Sequence, residues 1–318
     1  MLIDLKLPEL LKWQGSNPRP DDFDAFWDRA FNELKGVDPA AEFIPAKFTA
    51  PYADCFDLYY SGVRSAKIHA KLIKPKNIRT KVPAVFVFHG YTGDSGDWSE
   101  LLNYAAAGFV VAAMDCRGQG GLSEDTGGVK GNTMHGQIIR GLDSGPDALL
   151  FRHIFLDIVQ LVGIVSALPE VDVNRMGCFG GSQGGGLTLA CAGLCPQIKR
   201  AAPGMNFLSD YKRVWEMDLA ENAYWELKDY FRHFDPLHER ENEIFSRLGY
   251  IDVQFLAPRI KAEVLMFTGL MDNICPPSTQ FAVYNKIISK KSIKIYPDFG
   301  HETYPGSADL CFEFMMGL

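Results

Sequence analysis

The chain has no cluster of lysine and arginine, no apolar run long enough to span a bilayer and no regular cysteine framework, and each absence removes a class of function. With 32 Lys and Arg against 39 Asp and Glu, the formal charge is −7 and the pI is about 5.5. No basic stripe is available to follow a phosphate backbone, so nucleic acid is not an expected partner. The longest apolar run, 105–114, is interrupted by Gly108 and falls well short of the roughly 20 residues that a membrane helix needs. Asp4 and Lys6 stand inside what would have to be the apolar core of a signal peptide, so no export signal is expected and the expected location is cytoplasmic. The seven cysteines, at 55, 116, 178, 191, 195, 275 and 311, make no Cys-x-x-Cys pair. They read as reduced core residues. Cys191 and Cys195 are spaced to share a helix face, but no histidine neighbours them, so no metal site is read there.

No composition break or low-complexity linker divides the 318 residues, and the expectation is one domain over 1–318. A hydrophobic content of 47% is ample for a substantial core. Phe23, Phe26, Trp27, Ala30, Phe31 and Leu34 recur at helical spacing, with Gly36 as a stop. This predicts an amphipathic helix packed on the body, within an N-terminal extension of about 1–45. Alternating segments at 56–61 and 67–73, with Gly62 between them, predict an antiparallel hairpin. Short buried-type strands follow at 84–88, 110–114, 176–179, 264–268 and 293–296, with helical stretches at 99–107 and 151–168 between them. An antiparallel start followed by βα repeats predicts an α/β-hydrolase fold: a mostly parallel central sheet with helices on both faces. A helical insertion is expected over about 204–260, near the active site.

Within that frame, Gly180-Gly181-Ser182-Gln183-Gly184 lies between a strand and a helix-compatible stretch. A serine held above a sheet on such a turn needs small neighbours, which is why Gly-x-Ser-x-Gly suits a nucleophile elbow. With 30 glycines in the chain the pattern alone is weak; its context has to carry it. The loop after the 84–88 strand is His89-Gly90-Tyr91-Thr92-Gly93, able to turn tightly and aim an amide at a developing oxyanion. The second donor would be the amide of Gln183. His89 itself reads as structural.

A serine hydroxyl needs a base, and the chain order Ser, Asp, His leaves His233, His238 and His301. His301 is favoured because it follows the last strand, whereas the other two lie in the polar helical insertion. Asp272, at the tip of the strand at 264–268, is the favoured acid; Asp298, three residues before His301, is its rival. The acid's task would be to hold the histidine tautomer and stabilise the imidazolium.

Arg117-Gly118-Gln119-Gly120, Gly180 to Gly185, Gly269 to Ser278 and Gly300-His301-Glu302 together resemble carbohydrate esterase family 7. Its members are acetyl xylan esterases that also act as cephalosporin C deacetylases, and the likeness runs over nearly the whole chain. The Arg-Gly-Gln-Gly segment is the most telling part, because a general α/β hydrolase does not require it. The resemblance implies a triad of Ser182, Asp272 and His301, with Tyr91 and Gln183 amides as oxyanion hole. It also implies hydrolysis of acetate esters on small sugars, xylooligosaccharides included, and on cephalosporin C. It further implies a ring-like homo-hexamer whose sites face an internal cavity, and no cofactor. The glycine-rich stretch at 121–128 and the segments at 134–137 and 141–144 are left without a role. Tyr91 and Ile274 are the candidates for limiting acyl size, and Phe207, Trp215 and Trp225 for shaping the pocket or packing within the insertion. A general small-acyl carboxylesterase or an acyltransferase on the same triad is the alternative. A peptidase with a large extra domain and a silent binding protein fit less well.

Overall fold

A computed structural model describes residues 3–126 and 137–318 of the chain. Residues 127 and 128 of the glycine-rich stretch, and 134–136, lie outside the described residues. Among the described residues nine strands, β1 (Glu42–Pro45), β2 (Ala53–Ser61), β3 (Lys67–Pro75), β4 (Val82–Phe88), β5 (Val110–Met114), β6 (Val171–Gly181), β7 (Ile198–Gly204), β8 (Glu263–Gly269) and β9 (Lys291–Tyr296), form one sheet. Their spatial order is β1-β2-β3-β5-β4-β6-β7-β8-β9. Pairings are antiparallel from β1 to β5 and parallel from β5 to β9. This is the α/β-hydrolase architecture expected from the sequence.

The helices are α1 (Leu7–Leu10), α2 (Phe23–Lys35), α3 (Trp98–Ala106), α4 (Leu150–Ser166), α5 (Gln183–Leu194), α6 (Tyr211–Glu216), α7 (Trp225–Phe234), α8 (Glu241–Leu248), α9 (Pro277–Lys286) and α10 (Ser307–Met316). Two apolar cores follow from the two faces of the sheet. One joins the sheet to α2, α4 and α5, and the other joins it to α3 and α10. The aromatic stripe of α2 belongs to the first: Trp27 stacks on Phe155 at 5.9 Å, and its indole N–H donates to the Tyr250 carbonyl. The hairpin turn ends in a short 3-10 segment, Val63–Ser65.

Two strands have no clear signal in the sequence. The residues of β1 are exposed throughout, so no inward alternation marks it. In β7, Lys199 and Arg200 follow Ile198, and Pro203 sits in a strand paired on both sides, where proline normally argues against a central strand. The fold places β4 between β5 and β6, so the chain leaves β4 to one side and returns on the other. At such a switch point the loops beyond the strand ends part and leave a crevice. Phe88 pairs with Gly180 across it, which sets the His89–Gly93 loop beside the Ser182 turn.

Candidate active site

Ser182 stands between β6 and α5 with φ 57° and ψ −121°, a conformation few non-glycine residues adopt. Surrounding backbone contacts hold it there. Its N–H donates to the Gly204 carbonyl at 3.0 Å, and its own carbonyl accepts from Phe207 and Gly186. A Cβ on Gly184 would lie 2.0 Å from the Phe88 carbonyl oxygen, and one on Gly180 would lie 2.5 Å from it. On Gly181 it would meet nothing within 4 Å. The two outer glycines of the pattern are therefore steric necessities, and the inner one is not.

His301 and Asp272 complete a hydrogen-bonded line. His301 Nε2 is 2.9 Å from Ser182 Oγ, and Nδ1 is 2.8 Å from Asp272 Oδ2. A carboxylate only accepts, so Nδ1 carries the proton in the neutral ring and Nε2 faces the hydroxyl as an acceptor. Asp272 is fully buried. Its Oδ1 accepts the amides of Ile274 and Cys275 at 3.0 and 2.8 Å, and Gln280 donates to Oδ2. These bonds satisfy a carboxylate that burial alone would penalise. The loops bearing Asp272 and His301 are tied by the Met271 amide to the Phe299 carbonyl, and Glu302 accepts the Gly300 amide. Asp298 is exposed, and both ring nitrogens of His301 are engaged elsewhere. His233 lies in the last turn of α7, while the His238 ring packs on Trp215 and Phe231.

The Gln183 amide is the first of α5 and has no intrahelical acceptor. The Tyr91 amide sits in the adjoining loop. His89 serves that loop's backbone: its Nδ1 donates to the Gly90 carbonyl and its Nε2 accepts the Cys116 amide. Burial lowers its pKa, in keeping with a neutral ring. A serine whose hydroxyl hydrogen-bonds a histidine, and a ring oriented by a buried carboxylate, form a set that can carry nucleophilic acyl transfer.

Around this line, Tyr91 packs edge-on against Phe207, whose ring meets Tyr224 at 4.5 Å. Phe207 is wholly buried, so it braces Tyr91 from behind. Ile274 is half-buried beside Asp272. Trp215 packs on Phe231 and Phe245 within the helical stretch between β7 and β8, and Trp225 is 43% exposed. Both line a separate cavity of about 360 Å³ with Lys228 and Arg232. Sequence reasoning missed Glu226, a buried carboxylate on α7 facing the Tyr91 hydroxyl at 3.4 Å and the Ile139 amide at 3.0 Å. Burial pushes its pKa up to about 8. Its helix carries one other acidic residue, Asp229, and nothing in the local pattern separates the two. Among the described residues no group of three or more His, Cys, Asp or Glu is arranged to hold a metal ion, and no helix is long and apolar enough to cross a membrane.

A family model described as acetyl xylan esterase (AXE1) matches residues 1–318. The curated acetyl esterase Axe7A of Xylanibacter ruminicola is 30% identical over 303 residues, 93% of this chain and 66% of that protein. The chain thus spans just under two thirds of that relative's length. The solved structure of acetyl xylan esterase 1 from Thermoanaerobacterium sp. JW/SL YS485 superposes with a TM-score of 0.97 at 59% identity, covering 99% of each chain. That of an acetyl xylan esterase from Paenibacillus sp. R4 superposes with a TM-score of 0.93 at 33% identity, covering 98% of this chain and 99% of that one.

Proposed function

The chain belongs to the acetyl xylan esterase family, and from that premise we propose that it is a serine esterase that removes acetyl groups from small acetylated carbohydrates such as xylooligosaccharides, and from cephalosporin C. The observation that carries the reading is the line from Asp272 through His301 to Ser182, with both contacts under 3 Å. The names of the similar proteins, an acetyl esterase and two acetyl xylan esterases, support acetate as the acyl group.

In the proposed reaction His301 Nε2 takes the Ser182 proton as Oγ attacks the acetyl carbonyl, and the oxyanion is held by the Tyr91 and Gln183 amides. Each such donor contributes about 2.7–4 kcal/mol in the transition state. The imidazolium, stabilised by Asp272, returns its proton to the departing sugar oxygen and leaves acetyl-Ser182. Water, deprotonated by the same ring, then attacks the ester, and collapse of the second tetrahedral intermediate frees acetate and restores the hydroxyl. Tyr91, in the loop after β4, and Ile274, whose amide bonds Asp272, are the side chains we assign to limiting acyl length.

Ser182→Ala should cut hydrolysis of p-nitrophenyl acetate by about 10⁴-fold or more with the fold intact; full activity would overturn the proposal. Acetate should turn over faster than butyrate, and the reverse order would point to a general carboxylesterase. A screen of acetylated oligosaccharides, acetylated polymer and cephalosporin C tests the substrate class. Strong activity on intact polymer would contradict enclosed sites. The hexamer rests on family resemblance and predicts a solution mass near six times 35.4 kDa.

A further inference from the structure

The Arg117-Gly118-Gln119-Gly120 segment hydrogen-bonds both loops that carry the proposed oxyanion donors. Gln119 and Gln183 form a reciprocal amide pair: Gln119 Nε2 donates to Gln183 Oε1 and Gln183 Nε2 donates to Gln119 Oε1, each at 2.9 Å. Gln119 Oε1 also accepts the Thr92 amide at 3.0 Å, and Gln183 Nε2 lies 3.4 Å from the Gly90 carbonyl. Gly120 donates its amide to the Gly93 carbonyl at 3.0 Å, and a Cβ there would lie 2.7 Å from the Thr92 carbonyl oxygen. The segment therefore lies directly against the 89–93 loop.

That loop needs holding. Thr92 has φ 59°, unusual for a β-branched residue and persistent only where the surroundings over-determine it. The segment itself is anchored deep in the fold. Arg117 makes a two-point ion pair with Asp157 of α4, with Nη2 to Oδ1 at 2.7 Å, and the same Nη2 donates to the Val63 carbonyl at 2.9 Å. Gly62 leaves room for this pair, since a Cβ there would lie 2.1 Å from Asp157 Oδ1. A rigid line thus runs from α4 through Arg117 to Gln119, and from Gln119 to Gln183 on one side and Thr92 on the other.

We propose that Gln119 is a positioning residue that fixes the spacing between the Tyr91 and Gln183 amides through its paired amide with Gln183 and its bond to the Thr92 N–H. The proposal rests on those two amides forming the oxyanion hole. An amide donor acts by pre-set distance to the developing charge, so a small displacement weakens the transition state more than substrate binding. Both tetrahedral intermediates use the same donors, so acylation and deacylation slow together.

Gln119→Met removes the paired amide at a half-buried position and keeps a side chain of similar length. With p-nitrophenyl acetate, kcat should fall about tenfold or more, less than for outright loss of a donor, with KM within about twofold and an unchanged melting temperature. Burst and steady-state rates should drop by the same factor. Gln119→Glu keeps the acceptor for Thr92 and Gln183 Nε2 and should regain part of the loss. Gln119→Met combined with Gln183→Met should be no slower than Gln183→Met alone, as expected of side chains acting as one unit. Wild-type kcat in Gln119→Met, a defect confined to KM or tracking a lower melting temperature, or additive losses in the double variant would each overturn the positioning role. Ser182→Ala measured alongside separates the two readings: if it is inactive while Gln119→Met is unimpaired, only the positioning role fails, and if it is active, the underlying reaction fails.

Discussion

The loops at the carboxyl end of the sheet and the helical stretch between β7 and β8 both border the proposed site, but they are built in opposite ways. At the sheet, position is set by backbone against backbone: Gly180 and Gly184 against the Phe88 carbonyl, and Gly269 with a would-be Cβ 2.3 Å from the Phe299 carbonyl oxygen. In the helical stretch it is set by side chains, with Phe207, Tyr224, Trp215, Phe231 and Phe245 packed ring on ring. The first arrangement leaves the loops that carry Ser182, Asp272 and His301 little freedom to move. The second tolerates repacking, and it is the part able to vary with the substrate.

Substitutions on the two sides should separate the regions sharply. Asp272→Asn keeps the shape but removes the carboxylate that selects the His301 tautomer, and kcat should fall about 10⁴-fold in steady-state assays with little change in melting temperature. Gly184→Ala drives a methyl into the Phe88 carbonyl, and both activity and melting temperature should drop severely. Gly181→Ala, on the other side of Ser182, places its methyl where nothing lies within 4 Å and should stay within about threefold of wild type in kcat. Equal damage from the two alanines would contradict the difference between the outer and inner glycines.

Glu226 is where the regions meet. Burial raises its folded-state pKa from the ordinary 4.5 to about 8, so folding favours the neutral acid. Its stabilising contribution is full below about pH 4.5 and is lost as the pH climbs through about 8. Melting temperatures measured from pH 6 to 9 should therefore decline less in Glu226→Gln than in wild type; identical slopes would remove this coupling. The smallest effect is expected for Trp225→Ala. Its ring is 43% exposed and lines a cavity apart from the triad, so turnover of p-nitrophenyl acetate should remain within about twofold.

The same contrast explains what could be read from the chain. Ser182, Asp272 and His301 each follow a strand end with small or turn-forming neighbours, so local pattern and chain order sufficed to nominate them, and the structure brings their side chains into one hydrogen-bonded line. The hairpin and five of the parallel strands were legible from alternation and apolar runs. β1 was not, because every residue of it is exposed, and β7 was obscured by Lys199, Arg200 and Pro203. The partners of Arg117 and Gln119 lie 40 and 64 residues away, a distance that no local pattern encodes. Asp157 did carry a signal, a lone acid on the buried side of an apolar helix, where charge is rare unless paired. Phe207 was named for the pocket, but only the fold reveals that it stands behind Tyr91.

In the proposed reaction Ser182 is the group acylated during turnover. Treating the protein with a fluorophosphonate and mapping the modified peptide tests it most directly. The expected result is a single label on Ser182, loss of acetyl-ester hydrolysis in step with labelling, and neither label nor activity in Ser182→Ala. A label on another residue, or an unlabelled Ser182→Ala that still hydrolyses acetyl esters at the wild-type rate, would contradict it.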